Sequence, residues 1–347
     1  MINLRSVFLV LVLLSVTTGM GVAQWVQTGP YGGNFRCLAV SGTNLFAGGG
    51  GVFLSTNAGA NWSAASAGLT DLSVYALAAS GTNLFAGTSG AGVFLSTNNG
   101  TSWTSVNTGL TNTNVRALVA SGTNLFVGTY GGGVFLSTNN GASWAAVNTG
   151  LTNLFVYAFT TSGANLFAGT FQGGVFRSTD NGSNWTAVNS GLTNNQVYSL
   201  AVSGSNLLAG TGQGVFISTD NGTSWTLKSS GVTPFSGVNA LAAIGSNLFA
   251  GTGSAGMFLS TNNGTSWIQI DSGLTSISVA CLVVSGTDIF AGTNGGGVFR
   301  SSNNGTSWTA VNTNMTNISI AALSINDTNA IAGTSAGVFR SINNGTS

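Results

Sequence analysis

Four short apolar-rich runs, at residues 115–121, 124–128, 133–137 and 143–147, are separated by clusters of Gly, Asn, Ser and Thr. Runs of that length bounded by turn residues predict β-strands. The connections are all brief: Ser121-Gly122-Thr123-Asn124, then residues 129–132, then Asn139-Asn140-Gly141. Sequential strands joined so tightly run antiparallel, as a four-stranded meander. The pattern recurs along the chain, marked by the octapeptide Ser96-Thr97-Asn98-Asn99-Gly100-Thr101-Ser102-Trp103. Its glycine reappears at Gly59, Gly141, Gly182, Gly222, Gly264, Gly305 and Gly345, always 40–42 residues from the one before.

Four strands repeated at that spacing are the mark of a propeller blade. The eighth unit stops at Ser347, short of its tryptophan, whereas Gln24-Trp25-Val26-Gln27-Thr28-Gly29 matches the 143–150 stretch that follows an octapeptide turn. Docking the N-terminal strand on the last unit would complete its sheet and leave no open edge, which favours a closed ring over a solenoid. The expected fold is therefore all-β: a single β-propeller of about eight four-stranded antiparallel blades over residues 24–347, closed by the N-terminal strand joining the C-terminal blade.

Residues 1–23 read as an export signal, with Arg5 as the positive region, 7–16 as the apolar run, and Gly21-Val22-Ala23 as the cleavage site before Gln24. The run is shorter than the roughly 20 residues that span a bilayer. A secreted, periplasmic or cell-surface protein is expected, with no membrane span once the signal is removed.

The octapeptide chemistry explains its composition. Asn-Gly tolerates positive φ at both positions, and the Asn98 side-chain oxygen can accept backbone N–H groups within the turn. Gly100 then allows the turn and Trp103 rivets it, packing its indole on the neighbouring blade with the N–H offered to a carbonyl. Asp180, Gly182 and Trp185, and Asp220, Gly222 and Trp225, fill the same structural roles in later units.

The pattern Ser-Thr-(Asn/Asp)-x-Gly-x-(Ser/Asn)-Trp resembles the Asp-box, or bacterial neuraminidase repeat, of sialidases, sortilin-like propellers, oligoxyloglucan-type glycosidases and photosystem II stability-factor-like proteins. The resemblance covers essentially residues 24–347 and implies the propeller fold. It implies little about function, because the box lies on a turn remote from where such propellers bind ligands. Asn57, Asn98, Asn139, Asn262, Asn303 and Asn343 replace the acid, which keeps the acceptor and drops the charge.

Hydrophobic residues make up 43% of the sequence and Phe alone numbers 20, enough for a packed core. Charged residues make up only 4%, with 7 Lys+Arg against 6 Asp+Glu, so no field exists to attract nucleic acid. Cys37 and Cys281 occupy one repeat position in the first and seventh units. Inner strands a quarter-turn apart exceed the ~7 Å Cα limit of a disulfide, so two free, buried thiols are expected.

No His or Glu occurs anywhere. That removes the usual general base, the commonest metal ligand and half of any Asp/Glu pair. The sialidase resemblance implies a Tyr nucleophile activated by Glu, and this sequence has no Glu. Among the acids, Asp180 and Asp220 sit in octapeptide turns, and Asp288 and Asp327 in first-to-second strand loops, all on the bottom face. Only Asp71 and Asp271 reach the top face, several blades apart, whereas glycoside hydrolysis needs carboxyls about 5 Å or roughly 6.5–9.5 Å apart. Residues 180–184 have the wrong glycine position and no closing Glu for a calcium loop. No catalytic residue, metal or cofactor is expected.

What remains is a surface. At the head of the inner strand, by the top of the channel, successive units carry Arg36, Tyr75, Arg116, Tyr157, Tyr198, Asn239, Ala280 and Ala321. Second-to-third strand loops on that face add Tyr130, Phe171, Gln172 and Gln213. Aromatic and Arg side chains are those most used to grip sugars or protein partners. The expected ligand site is therefore Arg36, Tyr75, Arg116, Tyr130, Tyr157, Phe171, Tyr198 and Asn239. A role in packing between blades competes with that reading. Arg177, Arg300 and Arg340 share one slot before the octapeptide and are expected to brace blades. The leading function is a monomeric, non-catalytic binding or scaffold propeller for a glycan or protein. The alternatives are a sialidase-like or two-Asp hydrolase and a protein-complex assembly factor.

Overall fold

The computed structural model describes residues 26–31, 37–41, 44–56, 63–230, 237–285, 287–310, 319–326, 329–334 and 337–341. The export segment, Arg36 and Asp327 lie outside them, as do the octapeptide residues Asn57, Gly59, Asn343 and Gly345. The protein forms eight four-stranded antiparallel sheets. Blade 3 runs Val115–Ser121, Asn124–Thr129, Gly133–Ser137 and Ala145–Ala146. No helix among the described residues is long and apolar enough to cross a membrane.

The outer strand is shorter than the 143–147 expected from sequence. Its flanks have other partners. The Ser143 N–H donates to Asn139 Oδ1 inside the turn, and the Trp144 N–H donates to the Thr108 carbonyl of the preceding blade. Sequence apolarity continues through these residues, but the ladder does not.

In blade 8 the strands Ile320–Asn326, Asn329–Thr334 and Gly337–Ser341 are joined at the outside by Val26–Tyr31, with Val26 opposite Arg340 and Gln27 opposite Phe339. Blade 8 also packs on blade 1, where Ala47 and Phe53 meet Ile331 and Val338.

The core lies between blades rather than within them. Phe126 and Val134 of blade 3 pack with Val156, Leu166, Ala168, Phe176 and Trp185 of blade 4, all at most 4% exposed. Each such large residue contributes about 1.5–3 kcal/mol when buried. Close approach is needed at Gly128, where a Cβ would lie 2.7 Å from Val156 of the next blade.

Five of the six described tryptophans, Trp103, Trp144, Trp185, Trp225 and Trp308, bridge backward through the indole N–H to a carbonyl of the preceding blade, whereas Trp267 Nε1 has no partner. The Trp103 indole donates to the Ala65 carbonyl at 2.6 Å, as do Trp144 to Val106 and Trp185 to Val147. The turn before the tryptophan is closed by side-chain hydrogen bonds. The Ser102 N–H reaches Asn98 Oδ1 at 3.0 Å, and the Asn184 N–H reaches Asp180 Oδ1 at 2.9 Å, so Asn and Asp serve alike. Asn99 and Gly100 adopt φ of 54° and 77°.

An asparagine clamp, not anticipated from sequence, locks the outer strand. Asn107 Oδ1 accepts the Val93 N–H at 2.8 Å while its Nδ2 donates to the Ala91 carbonyl at 2.7 Å. Asn148 and Asn189 do the same in blades 3 and 4.

No disulfide joins Cys37 and Cys281. Both residues are half-buried rather than fully covered. The Cys37 thiol donates to the Gly48 carbonyl, and burial pushes the Cys281 thiol up to about 12.

Candidate functional site

The rim slot is made by a β-bulge. In blade 3, Val115 pairs with Thr129 and Ala117 with Gly128, which leaves Arg116 outside the ladder. The same interruption isolates Tyr75, Tyr157, Tyr198 and Asn239 in their blades. A bulge bends the strand and re-aims one side chain. Ala280 and Ala321 occupy the slot in blades 7 and 8, so its larger side chains among the described residues belong to blades 2 to 6.

Three blades bring these side chains into one band. The Arg116 guanidinium carbon lies 4.3 Å from the Tyr75 ring centre and 5.2 Å from that of Tyr130. A cation over aromatic faces is attracted by the ring quadrupole, and Arg116 Nε is further oriented by donating to Asn114 Oδ1 at 3.0 Å. Tyr130, 43% exposed, meets Phe155 edge-on at 4.8 Å and Tyr157 at 6.5 Å. Tyr157 in turn meets Phe171 at 5.7 Å. Burial, and then the neighbouring Tyr130 phenol, raise the Tyr157 pKa above its ordinary value, and Arg116 opposes the rise. Tyr157 is therefore a neutral hydroxyl donor at physiological pH.

Phe155 is not apparent from the sequence as a site residue. It lies in the connection between blades, where no alternation marks it, and is held by a bridge to Tyr130 and by its N–H donating to Asn153 Oδ1 at 3.0 Å. A signal is present: the matching residues Ser73, Asn114, Gln196 and Ser278 are polar, and Phe155 is aromatic.

Tyr198 and Asn239 have partners of their own. The Tyr198 hydroxyl donates to Gln196 Oε1 at 3.2 Å, and Asn239 Nδ2 donates to the Val279 carbonyl of the next inner strand at 3.2 Å. Gln172 stands exposed at φ 72°, and Gln213 Oε1 accepts from the Thr193 hydroxyl at 2.9 Å.

The described carboxylates are all engaged with the fold. Asp71 accepts the Ser73 and Gly90 N–H groups, each at 2.8 Å, and Asp271 accepts the Met257 N–H at 2.7 Å from the clamp position. Asp288 begins a second strand instead of lying in the loop before it. It is nearly buried and takes two bonds from Arg300, at 2.7 and 3.0 Å. Hydrogen bonds from the Ser224 hydroxyl and N–H, then from Ser218, bring Asp220 down to about 2, and bonds from Asn184 lower Asp180 in the same way. Arg177 donates to the Asn221 carbonyl of the next blade at 3.0 Å, the bracing expected of its slot. Among the described residues no three His, Cys, Asp or Glu side chains gather. Lys228, the one lysine of the sequence, lines a cleft of about 320 Å³ between blades 5 and 6 on the opposite face, with Thr226 and Asn263.

No protein-family description matches the protein, and no curated protein matches it. Solved structures do. A computationally designed protein, Ika8, is 12% identical with a TM-score of 0.69 over 92% of this chain and 99% of its own. YCF48 bound to D1 peptide is 12% identical with a TM-score of 0.60 over 93% and 96%. The extracellular domain of BT4673 from B. thetaiotaomicron is 17% identical with a TM-score of 0.60 over 92% of this chain and 40% of its own. What the protein shares with all three is the β-propeller fold.

Proposed function

We propose that this protein is an exported, non-catalytic recognition propeller that takes a glycan or a protein partner on its top rim. The observation that supports the reading is the band Tyr75–Arg116–Tyr130–Phe155–Tyr157–Phe171, in which bulged inner-strand residues and loop aromatics from three blades meet within 4.3–6.5 Å of one another. Rigid aromatic faces with one cation offer stacking area and hydrogen bonds at little entropic cost. A hydrolase reading lacks support from the described carboxylates, each of which accepts hydrogen bonds from backbone N–H groups, neighbouring polar side chains or Arg300. The likeness to YCF48, a propeller solved with a peptide, favours a second, narrower reading as a protein-complex assembly factor.

The test uses residues 24–347 against a glycan array, a peptide library and a panel of fluorogenic glycosides, with Arg116→Ala and Tyr157→Ala as variants. Binding in one of the first two arms, reduced at least about tenfold by either variant, is the expected result, since a well-packed anchor is worth ~2 kcal/mol or more. Binding that both variants leave intact, or turnover of any glycoside, would overturn the proposal.

A further inference from the structure

Among the described residues, six octapeptide turns contain an Asn-Gly pair whose Asn is exposed: Asn99, Asn140, Asn181, Asn221, Asn263 and Asn304. In an unfolded peptide this pair modifies itself. The glycine nitrogen attacks the Asn Cγ, forming an N–Cγ bond. The Cγ–Nδ2 bond breaks, ammonia leaves with the proton the nitrogen gave up, and water opens the cyclic imide to aspartate or isoaspartate. Glycine permits the attack because no Cβ restricts the rotation that brings its nitrogen round.

The folded turn withholds that nitrogen. All six glycines are buried, and each N–H donates to the hydroxyl of the serine four residues earlier at 2.7–2.8 Å. That serine, at most 1% exposed, is itself fixed, its hydroxyl donating to the box Asn or Asp Oδ1 at 2.7–2.9 Å. The Asn of each pair stands at φ 52–55°. An exposed electrophile thus sits beside a nucleophile that is buried and already bonded elsewhere.

We propose that the first serine of the octapeptide guards its turn against self-deamidation, and that these six asparagines become modification sites when their turn opens. The isoaspartate product cannot simply re-close, because it adds a methylene to the backbone inside a turn sized to the serine hydroxyl, and the aspartate product keeps the backbone but carries a new charge. Each event also removes one unit from a net charge of +1. A turn that has opened is therefore recorded covalently.

The experiment is peptide mapping by mass spectrometry after prolonged incubation at mildly alkaline pH. It compares the unaltered protein, Ser137→Ala, and Ile331→Val as a control destabilised between blades 8 and 1, away from all six turns. One net hydrogen bond of roughly 1–1.5 kcal/mol holds the turn closed, so deamidation at Asn140 should accelerate about five- to tenfold in Ser137→Ala. The other five sites and the control should keep their original rates. An unchanged Asn140, or a uniform rise at all six sites matching the control, would overturn the guard. Should Ser137→Ala fail to fold, the unaltered protein in graded sub-denaturing urea decides. Gly141 amide exchange and Asn140 deamidation must rise together, and free exchange at Gly141 with Asn140 intact would equally overturn it.

Discussion

Replacing Trp103 and Trp267 by Phe, one at a time, isolates the rivet's hydrogen bond from its bulk. Both indoles are buried, 4% and 2% exposed, and both sit in equivalent clusters between blades. The lost ring volume should cost each variant a similar amount, on the order of 1–2 kcal/mol. Trp103 Nε1 donates to the buried Ala65 carbonyl, whereas Trp267 Nε1 is buried without a partner. Trp103→Phe therefore strands an acceptor, at a further ~1–3 kcal/mol, while Trp267→Phe removes an orphaned donor and regains its desolvation penalty. The predicted gap is the sum of the two, about 2–6 kcal/mol. Urea midpoints read by far-UV circular dichroism, with the slope checked for constancy, measure it. Equal losses would refute the assignment of rivet strength to the indole hydrogen bond.

The other predictions concern single joints. Ser229 stands where Asn107, Asn148 and Asn189 clamp other blades, and its hydroxyl is buried without a partner, so Ser229→Asn should stabilise the protein by about 1–2 kcal/mol through two restored bonds, read as a raised urea midpoint. Gly150 has φ 82° and a Cβ there would collide with the Trp185 carbonyl, so Gly150→Ala should cost at least ~3 kcal/mol or abolish soluble protein, scored by expression and calorimetry. Asp220 titrates at about 2 in the fold against roughly 3.9 unfolded. Its contribution is thus full above pH ~4 and lost as pH falls toward ~2, and Asp220→Asn should flatten melting temperature over that window. The Cys281 thiol, pushed up to about 12, should resist thiol reagents in the native protein, with both cysteines reacting on unfolding.

Much of the fold is legible in the sequence because a repeat states its pattern many times. Inner-strand limits at Val115–Ser121 follow directly from turn residues, and the Asn98 turn from residue chemistry. Local competition for hydrogen bonds is harder to see. Ser143 and Trp144 look like strand, yet their N–H groups go to the turn and to the preceding blade. The asparagine clamp is hidden because Asn107 is one among many Asn in turn-like sequence, and only folding brings Val93 within its reach. The rim slot is visible as a repeat position but not as a bulge, since register between strands is not a property of either strand alone. Phe155 and the stacking of Arg116 on Tyr75 depend on side chains from different blades meeting, which no single repeat encodes.

The inner-strand bulge has an evolutionary corollary. A residue outside the ladder takes no part in the pairing register of its own sheet, so substituting it leaves that pairing intact. The slot accordingly holds Tyr, Arg, Asn and Ala in different blades, while the neighbour before it is Val in blades 2 to 7. Such a ring is a palette: the side chains on its rim can be rewritten one blade at a time on a frame that does not notice the change.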